Sequence, residues 1–252
     1  MIRRRWTRAY PDIQTAWQRL ATYLGDRFDP ALTDFDRLRR FLDQEWSELR
    51  SDFYRRSIGY LYDLTSFHYM GAKDGFFQLL IDFADELGLS RIADVGCGIA
   101  LDAQALLQLG YDVDAYDLDN PSLAYARWRL DEDLGQAGRV RCLTHLSGQH
   151  YQLVYAVDVL GHADDPMALL DLLFTSGDYV AINIHPHDPR HRYGAADLHP
   201  GLSQDHLLPA LQGHGDLIRV GNSGENVTTI WLSAQRKPVP DRRRSLVRKL
   251  SR

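Results

Sequence analysis

Cysteine is scarce in this chain: 252 residues hold two, Cys97 and Cys142. Neither their number nor their spacing suggests a disulfide framework or a zinc site, and a reducing, cytoplasmic setting fits them. Long apolar runs are missing too. No stretch is long enough to span a membrane, and the basic start Met1-Ile2-Arg3-Arg4-Arg5-Trp6 lacks the apolar run of a signal peptide behind it. The chain has no excess of positive charge. Its formal net charge of −5 argues against a nucleic-acid binder as a whole. Internal repeats are absent as well. What remains is an ordinary globular composition, 44% hydrophobic and 25% charged.

The most telling stretch is Ile92-Ala93-Asp94-Val95-Gly96-Cys97-Gly98-Ile99-Ala100-Leu101-Asp102. It reads as a buried strand, a glycine turn and the start of a helix. A second apolar run, Tyr111 to Leu118, carries an acid at Asp117. Strand, glycine turn, helix, strand and acid form the skeleton of a nucleotide-type ligand site on a parallel sheet. Gly96 and Gly98 let the backbone approach a ligand, and Asp117 can accept both hydroxyls of a ribose. A dinucleotide site wants a third glycine, and Leu101 holds that position. Asp94, two residues before the first glycine, is awkward beside a pyrophosphate and suits a cationic ligand.

This D-x-G-x-G pattern resembles the first motif of the class I methyltransferases, which use S-adenosylmethionine. Gly110 to Arg127, with its strand ending in an acid and a helix following, is similar to that family's second motif. Tyr151 to Pro166 resembles the fourth strand and its loop. Many members read D-V-L-E-H there; this chain has Asp158-Val159-Leu160-Gly161-His162. The resemblance spans roughly residues 75 to 236. It implies an α/β fold: a Rossmann-like, mostly parallel sheet with an antiparallel last strand, preceded by a helical cap. It implies S-adenosylmethionine as cofactor, lined by Asp94, Gly96, Cys97, Gly98, Asp117, Leu118 and Asp158. Asp94 is expected at the methionine ammonium, Asp117 at the ribose and Leu118 at the adenine. The family often places an acid after its third strand to meet the adenine amine. None stands here, where Thr144, His145 and Leu146 are the candidates.

Periodicity adds the organisation. Helices are expected over 10–24, 31–50, 75–87, 101–108, 120–131, 166–174 and 203–212. Strands are expected over 89–95, 113–116, 140–144, 153–159, 178–184, 217–220 and 227–234. The last two strands flank the turn-rich Gly221 to Asn226, a hairpin signal. Three segments follow: a helical cap or lid over 1–84, the cofactor-binding core over 85–236, and a basic tail over 237–252. From Arg236 to Arg252 there are eight Lys or Arg. That segment reads as a solvated tail or as a contact for an anionic partner. It has no aromatics to stack on bases, so nucleic acid is the weaker partner.

The acceptor side is less defined. His162 is the candidate general base, because imidazole titrates near neutrality; a histidine packing the loop is the competing reading. Tyr62, His68 and Tyr69 are candidates for the acceptor wall from the aromatic segment 51–69, where each can equally be cap core. His185 and His187 are candidates from the histidine-rich loop after the fifth strand. Four histidines and two acids lie within fifteen residues there, yet their spacing fits no metal motif, and no metal is expected. The expected activity is methyl transfer to oxygen or nitrogen of a small molecule, in specialised metabolism or elsewhere. A peptide, protein or carrier-bound acceptor is one alternative, and a non-catalytic scaffold subunit that kept the fold is another. A homodimer is compatible with the sequence.

Overall fold

The computed structural model describes residues 12–71, 73–184, 204–223 and 226–236. Among the described residues four α-helices come first: α1 (Ile13–Leu24), α2 (Phe35–Leu49), α3 (Phe53–Arg56) and α4 (Gly59–Tyr69). Asp12 starts α1 by accepting the Thr15 amide, and Asp34 starts α2 by accepting the Arg37 amide. Both are N-caps that satisfy amides a helix start leaves unpaired. The core then alternates strand and helix: α5 (Asp74–Leu87), β1 (Arg91–Val95), α6 (Leu101–Gln108), β2 (Asp112–Asp117), α7 (Pro121–Leu134), β3 (Val140–Cys142), β4 (Tyr151–Ala156), α8 (Pro166–Ser176), β5 (Gly177–Ile184), α9 (Gln204–His214), β6 (Gly215–Ser223) and β7 (Asn226–Ser233).

The strands form one sheet in the order β3-β2-β1-β4-β5-β7-β6. The first five run parallel, while β7 is antiparallel to both β5 and β6. Strand order reverses between β1 and β4, the place where open α/β sheets bind ligands beyond their strand ends. The sheet is buried on both faces. Phe76, Phe77, Leu80 and Phe83 of α5 pack one side with Ile92, Val113 and Leu153. Leu170, Leu173 and Phe174 of α8 pack the other with Val95, Val154 and Ile182. No described helix is long and apolar enough to cross a membrane.

The expected boundary at residue 84 falls inside α5, whose phenylalanines belong to the sheet's own core. The cap therefore closes with α4. Its separate core joins Leu20, Leu24, Leu38, Leu61 and Tyr62 to Ile99, Leu101 and Tyr125. The cap is thus seated on the glycine turn and on α7, two of the elements expected at the cofactor. The tail beyond 236 and the loop carrying His185 and His187 lie outside the described residues.

Candidate active site

The turn after β1 is left-handed at Gly96 (φ +74°), at Gly98 (φ +54°) and at Ala100 (φ +54°). The two glycines have a steric reason beyond φ. A Cβ on Gly96 would overlap the Val159 side chain, and one on Gly98 would lie 2.9 Å from Leu64 Cδ1. The turn is thus pressed between the loop after β4 and the cap. The Gly96 and Cys97 amides both donate to the Tyr116 carbonyl, at 2.8 and 3.0 Å, which stitches the turn to β2. Cys97 is buried and its thiol is pushed well up by burial, so it is a packing residue of the turn with no reactive thiolate.

Asp117 closes the front of the turn. Its carboxylate accepts the Gly98 amide at 2.6 Å, the Leu118 amide at 2.7 Å and the Asn120 side-chain amide at 3.4 Å. Burial raises it to about 6, against the pull of those three donors. Leu118 is half-buried beside it. Arg129 of α7 closes the back, 2% exposed, donating to the Ile99 carbonyl from Nε (3.3 Å) and Nη2 (2.8 Å). It thereby grips the residue before the strained Ala100. Gln104, Asp133 and the cap's Arg19 complete this buried polar group.

Asp94 is 4% exposed, and its Oδ2 is sealed from solvent with no hydrogen-bond partner among the described residues. Burial, then the nearby Asp102, raise this carboxyl to about 8, with the Tyr155 hydroxyl and Lys73 pulling the other way. Asp102, in the first turn of α6, is bracketed by Lys73 Nζ at 3.1 Å and His68 Nδ1 at 3.4 Å. Burial pushes His68 down to about 4, so at neutral pH it is an uncharged neighbour of that acid. A sealed acceptor lacking a donor, beside a glycine turn, fits a ligand that brings its own cationic donor.

The loop after β4 forms the other wall. Asp158 is a non-glycine residue at φ +58°. Its amide donates to Asn183 Oδ1 at 2.8 Å, and the Asn183 Nδ2 donates back to its carboxylate. His162 ends a short 3-10 turn, with its Nδ1 2.9 Å from the Tyr54 hydroxyl and the two rings 5.0 Å apart. Arg55 pairs with Asp164 at 2.7 Å, and the Tyr54 carbonyl accepts the Asn120 side chain at 3.0 Å. Helix α3 is therefore tied to the loops after both β2 and β4.

Helix α4 turns two faces. Leu61, Tyr62 and Thr65 are buried in the cap. Tyr60, Asp63, Leu64 and Phe67, spaced three, one and three residues, are half-buried on the opposite side. Leu64 rests on Gly98, and the Tyr60 hydroxyl sits in the field of Tyr54, Asp63, Asp117 and Asp158. This stripe roofs the strand ends. Burial alone raises Asp63 to about 6.

The structure thus gathers Asp94, Gly96, Cys97, Gly98, Asp117, Leu118, Asp158 and His162 around one end of the sheet. Tyr62 is not part of it: the residue is 1% exposed, its ring lies by Trp17 and Phe28, and its hydroxyl accepts the Asp29 amide at 2.8 Å. The helical period puts it on the cap's inner face. His68 is committed to Asp102 behind the turn. Tyr69, whose hydroxyl burial raises to about 12, stands beside it in the field of Arg129. After β3, Thr144 and His145 are exposed to solvent and Leu146 is fully buried. Tyr54, Lys73, Asn120, Arg129 and Asn183 carry no motif in the sequence. Only Asn120, as the cap before Pro121, had a local signal. Among the described residues no cluster of His, Cys, Asp and Glu is arranged to hold a metal ion.

Residues 93–174 match the family model described as a methyltransferase domain. Among solved structures, magnesium protoporphyrin IX methyltransferase from Synechocystis PCC 6803 with bound S-adenosylmethionine (SAM) is similar at 17% identity and a TM-score of 0.54, over 75% of this chain and 97% of that one. The same enzyme with bound SAH is similar at 17% identity and 0.54, over 80% of this chain and 100% of that one. At such identity the likeness speaks for the fold. No curated protein matches the sequence. The family match runs from β1 into α8, and the sheet order with its antiparallel β7 agrees with the fold that the structural likeness shows.

Proposed function

We propose that this chain transfers a methyl group from S-adenosylmethionine to oxygen or nitrogen of a small-molecule acceptor, with His162 receiving the acceptor's proton. The cofactor, when bound, supplies an activated methyl on a positively charged sulfur. The chain's residues bind, orient and exclude water. Asp94 offers its partnerless oxygen to the methionine ammonium. Gly96, Cys97 and Gly98 line the amino-acid end and the ribose, Asp117 takes the ribose hydroxyls, and Leu118 packs on the adenine. Asp158 bounds the site between the turn and the acceptor.

The observation that carries a small acceptor is the roof. Tyr54 meets His162, and Leu64 rests on Gly98, so the cap lies directly over the strand ends. A helical cap over the strand ends suits a small molecule better than an open protein surface does. His162 lies under that cap beside Tyr54, and histidine is the side-chain type best matched to proton removal near neutral pH. His185 and His187 follow β5 directly in sequence, and we assign them to the acceptor rim.

Two measurements test the reading. Calorimetry with S-adenosylmethionine should show binding that Asp117→Ala largely removes; binding unaffected by that change sinks the cofactor assignment. A labelled-methyl assay against a native small-molecule extract should show transfer that His162→Ala lowers. Label entering only protein would favour a peptide or carrier-bound acceptor. Binding without any transfer would favour a scaffold subunit.

A further inference from the structure

The loop after β4 adopts a conformation that its own sequence does not favour, and one side chain from another strand holds it. Asp158 lies in the left-handed region at φ +58°. Aspartate tolerates that region better than most residues, yet it stays there only where the surroundings demand it. The demand comes from Asn183, the next-to-last residue of β5 and 9% exposed. Its Oδ1 accepts the Asp158 amide at 2.8 Å, and its Nδ2 donates to the Asp158 carboxylate. An asparagine side chain has one acceptor and one donor group on the same amide, so it can bridge backbone and carboxylate of a single residue at once. Lys73 also lies within electrostatic reach of Asp158.

The consequence runs along the chain. With Asp158 left-handed, the next residue, Val159, sets its side chain in the space a Cβ on Gly96 would need. The Val159 carbonyl then accepts the His162 amide at 3.0 Å, which closes the 3-10 turn. That turn delivers the His162 ring to Tyr54. We propose that Asn183 is a positioning residue for methyl transfer: by bridging Asp158 from β5 it fixes Val159 on the glycine turn and His162 at the acceptor side. The proposal rests on the methyl-transfer reading for its chemistry. Its geometric part stands independently.

The test uses the full chain with a labelled-histidine NMR readout of the His162 imidazole, alongside calorimetry with S-adenosylmethionine. In Asn183→Ala the His162 signals should move toward those of an unrestrained histidine. Methyl transfer in the extract assay should fall by about tenfold or more, the scale expected for losing two buried hydrogen bonds. Cofactor affinity should fall less than transfer does, since Asn183 reaches the glycine turn only through Asp158 and Val159. Asn183→Asp, which keeps volume and the acceptor, guards against a variant that fails to fold; it should move the same signals. Unmoved His162 signals in both single variants overturn the proposal, as does a loss of stability alone with transfer intact. Absence of cofactor binding in the parent chain would instead defeat the methyl-transfer reading, and the His162 signals would still judge Asn183.

Discussion

Asp117 and Asp158 both stand at the C-terminal ends of parallel strands, and they are held in opposite ways. Asp117 is fastened by backbone amides, those of Gly98 and Leu118, at ordinary backbone angles. Asp158 is fastened by a side chain from a neighbouring strand and sits at φ +58°. The first arrangement needs only a glycine turn and a strand tip in adjacent register, which the motif itself encodes. The second needs β5 to be in place. The glycine-turn end of the site is thus a local construction, and the end around Asp158 and His162 is assembled from distant segments.

That contrast can be broken from either side. The largest effect should come from behind the glycine turn. Arg129→Leu removes a buried guanidinium, strands the Ile99 carbonyl and leaves Asp133 with only Arg19 and Gln104, and should cost about 3–5 kcal/mol in a denaturant melt. Loss below 1 kcal/mol would mean that the turn holds itself. Next, Asp117→Ala removes a carboxylate that already orders Gly98 and should weaken S-adenosylmethionine binding about a hundredfold in calorimetry, in line with charged hydrogen bonds of roughly 1.5–3 kcal/mol. Gly98→Ala should follow. Its left-handed φ and the approach to Leu64 should together cost about 1–2 kcal/mol of stability, read as a lowered Tm, and loosen the cap.

At the other end, Tyr54→Phe deletes one hydrogen bond to His162 and, on the proposed function, should lower kcat by about fivefold, with cofactor affinity held, because a single neutral bond is worth roughly 1 kcal/mol. An equal loss of cofactor affinity would show that the two ends are one unit.

The smallest effect is a pH slope. Asp94 is raised to about 8 and Asp117 to about 6 from an unfolded value near 3.8. Their contributions to stability are full below that value and are lost as pH rises through 6 and then 8. His68, lowered to about 4 from 6.5, acts in the opposite sense, losing its contribution as pH falls through 6.5 to 4. From pH 6.5 to 8 the Asp94 loss therefore leads within the site, and the unliganded protein's Tm should decline across that window. A cationic ligand favours ionised Asp94, so S-adenosylmethionine should bind more tightly over the same rise, with proton release visible by calorimetry in two buffers. Affinity independent of pH would separate Asp94 from the ligand's charge.

Legibility followed the same division. The strands expected at 89–95 and 113–116 are Arg91–Val95 and Asp112–Asp117, and the helix expected at 101–108 is Leu101–Gln108. Each sits in a single stretch with its turn. The aromatic segment 51–69 gave composition without faces. Tyr62 and Asp63 are adjacent there, yet one is cap core and the other roof, because α4 begins at Gly59 and a helix sends neighbours to different sides. Tyr54 and His162 are 108 residues apart, and no periodicity links them.

By itself, the sequence determined the order of strands and helices from residue 74 onward, the glycine turn with its acid two residues before, and the acid at the tip of the second strand. Such features rest on backbone conformation and short spacing, which consecutive residues dictate. Tertiary structure alone decided which helix ends the cap, which face of α4 looks inward, that Arg129 grips the turn from behind, and that Asn183 and Tyr54 hold the loop after β4. Each of those depends on contacts between segments far apart in the chain, and such contacts exist only once the sheet has formed.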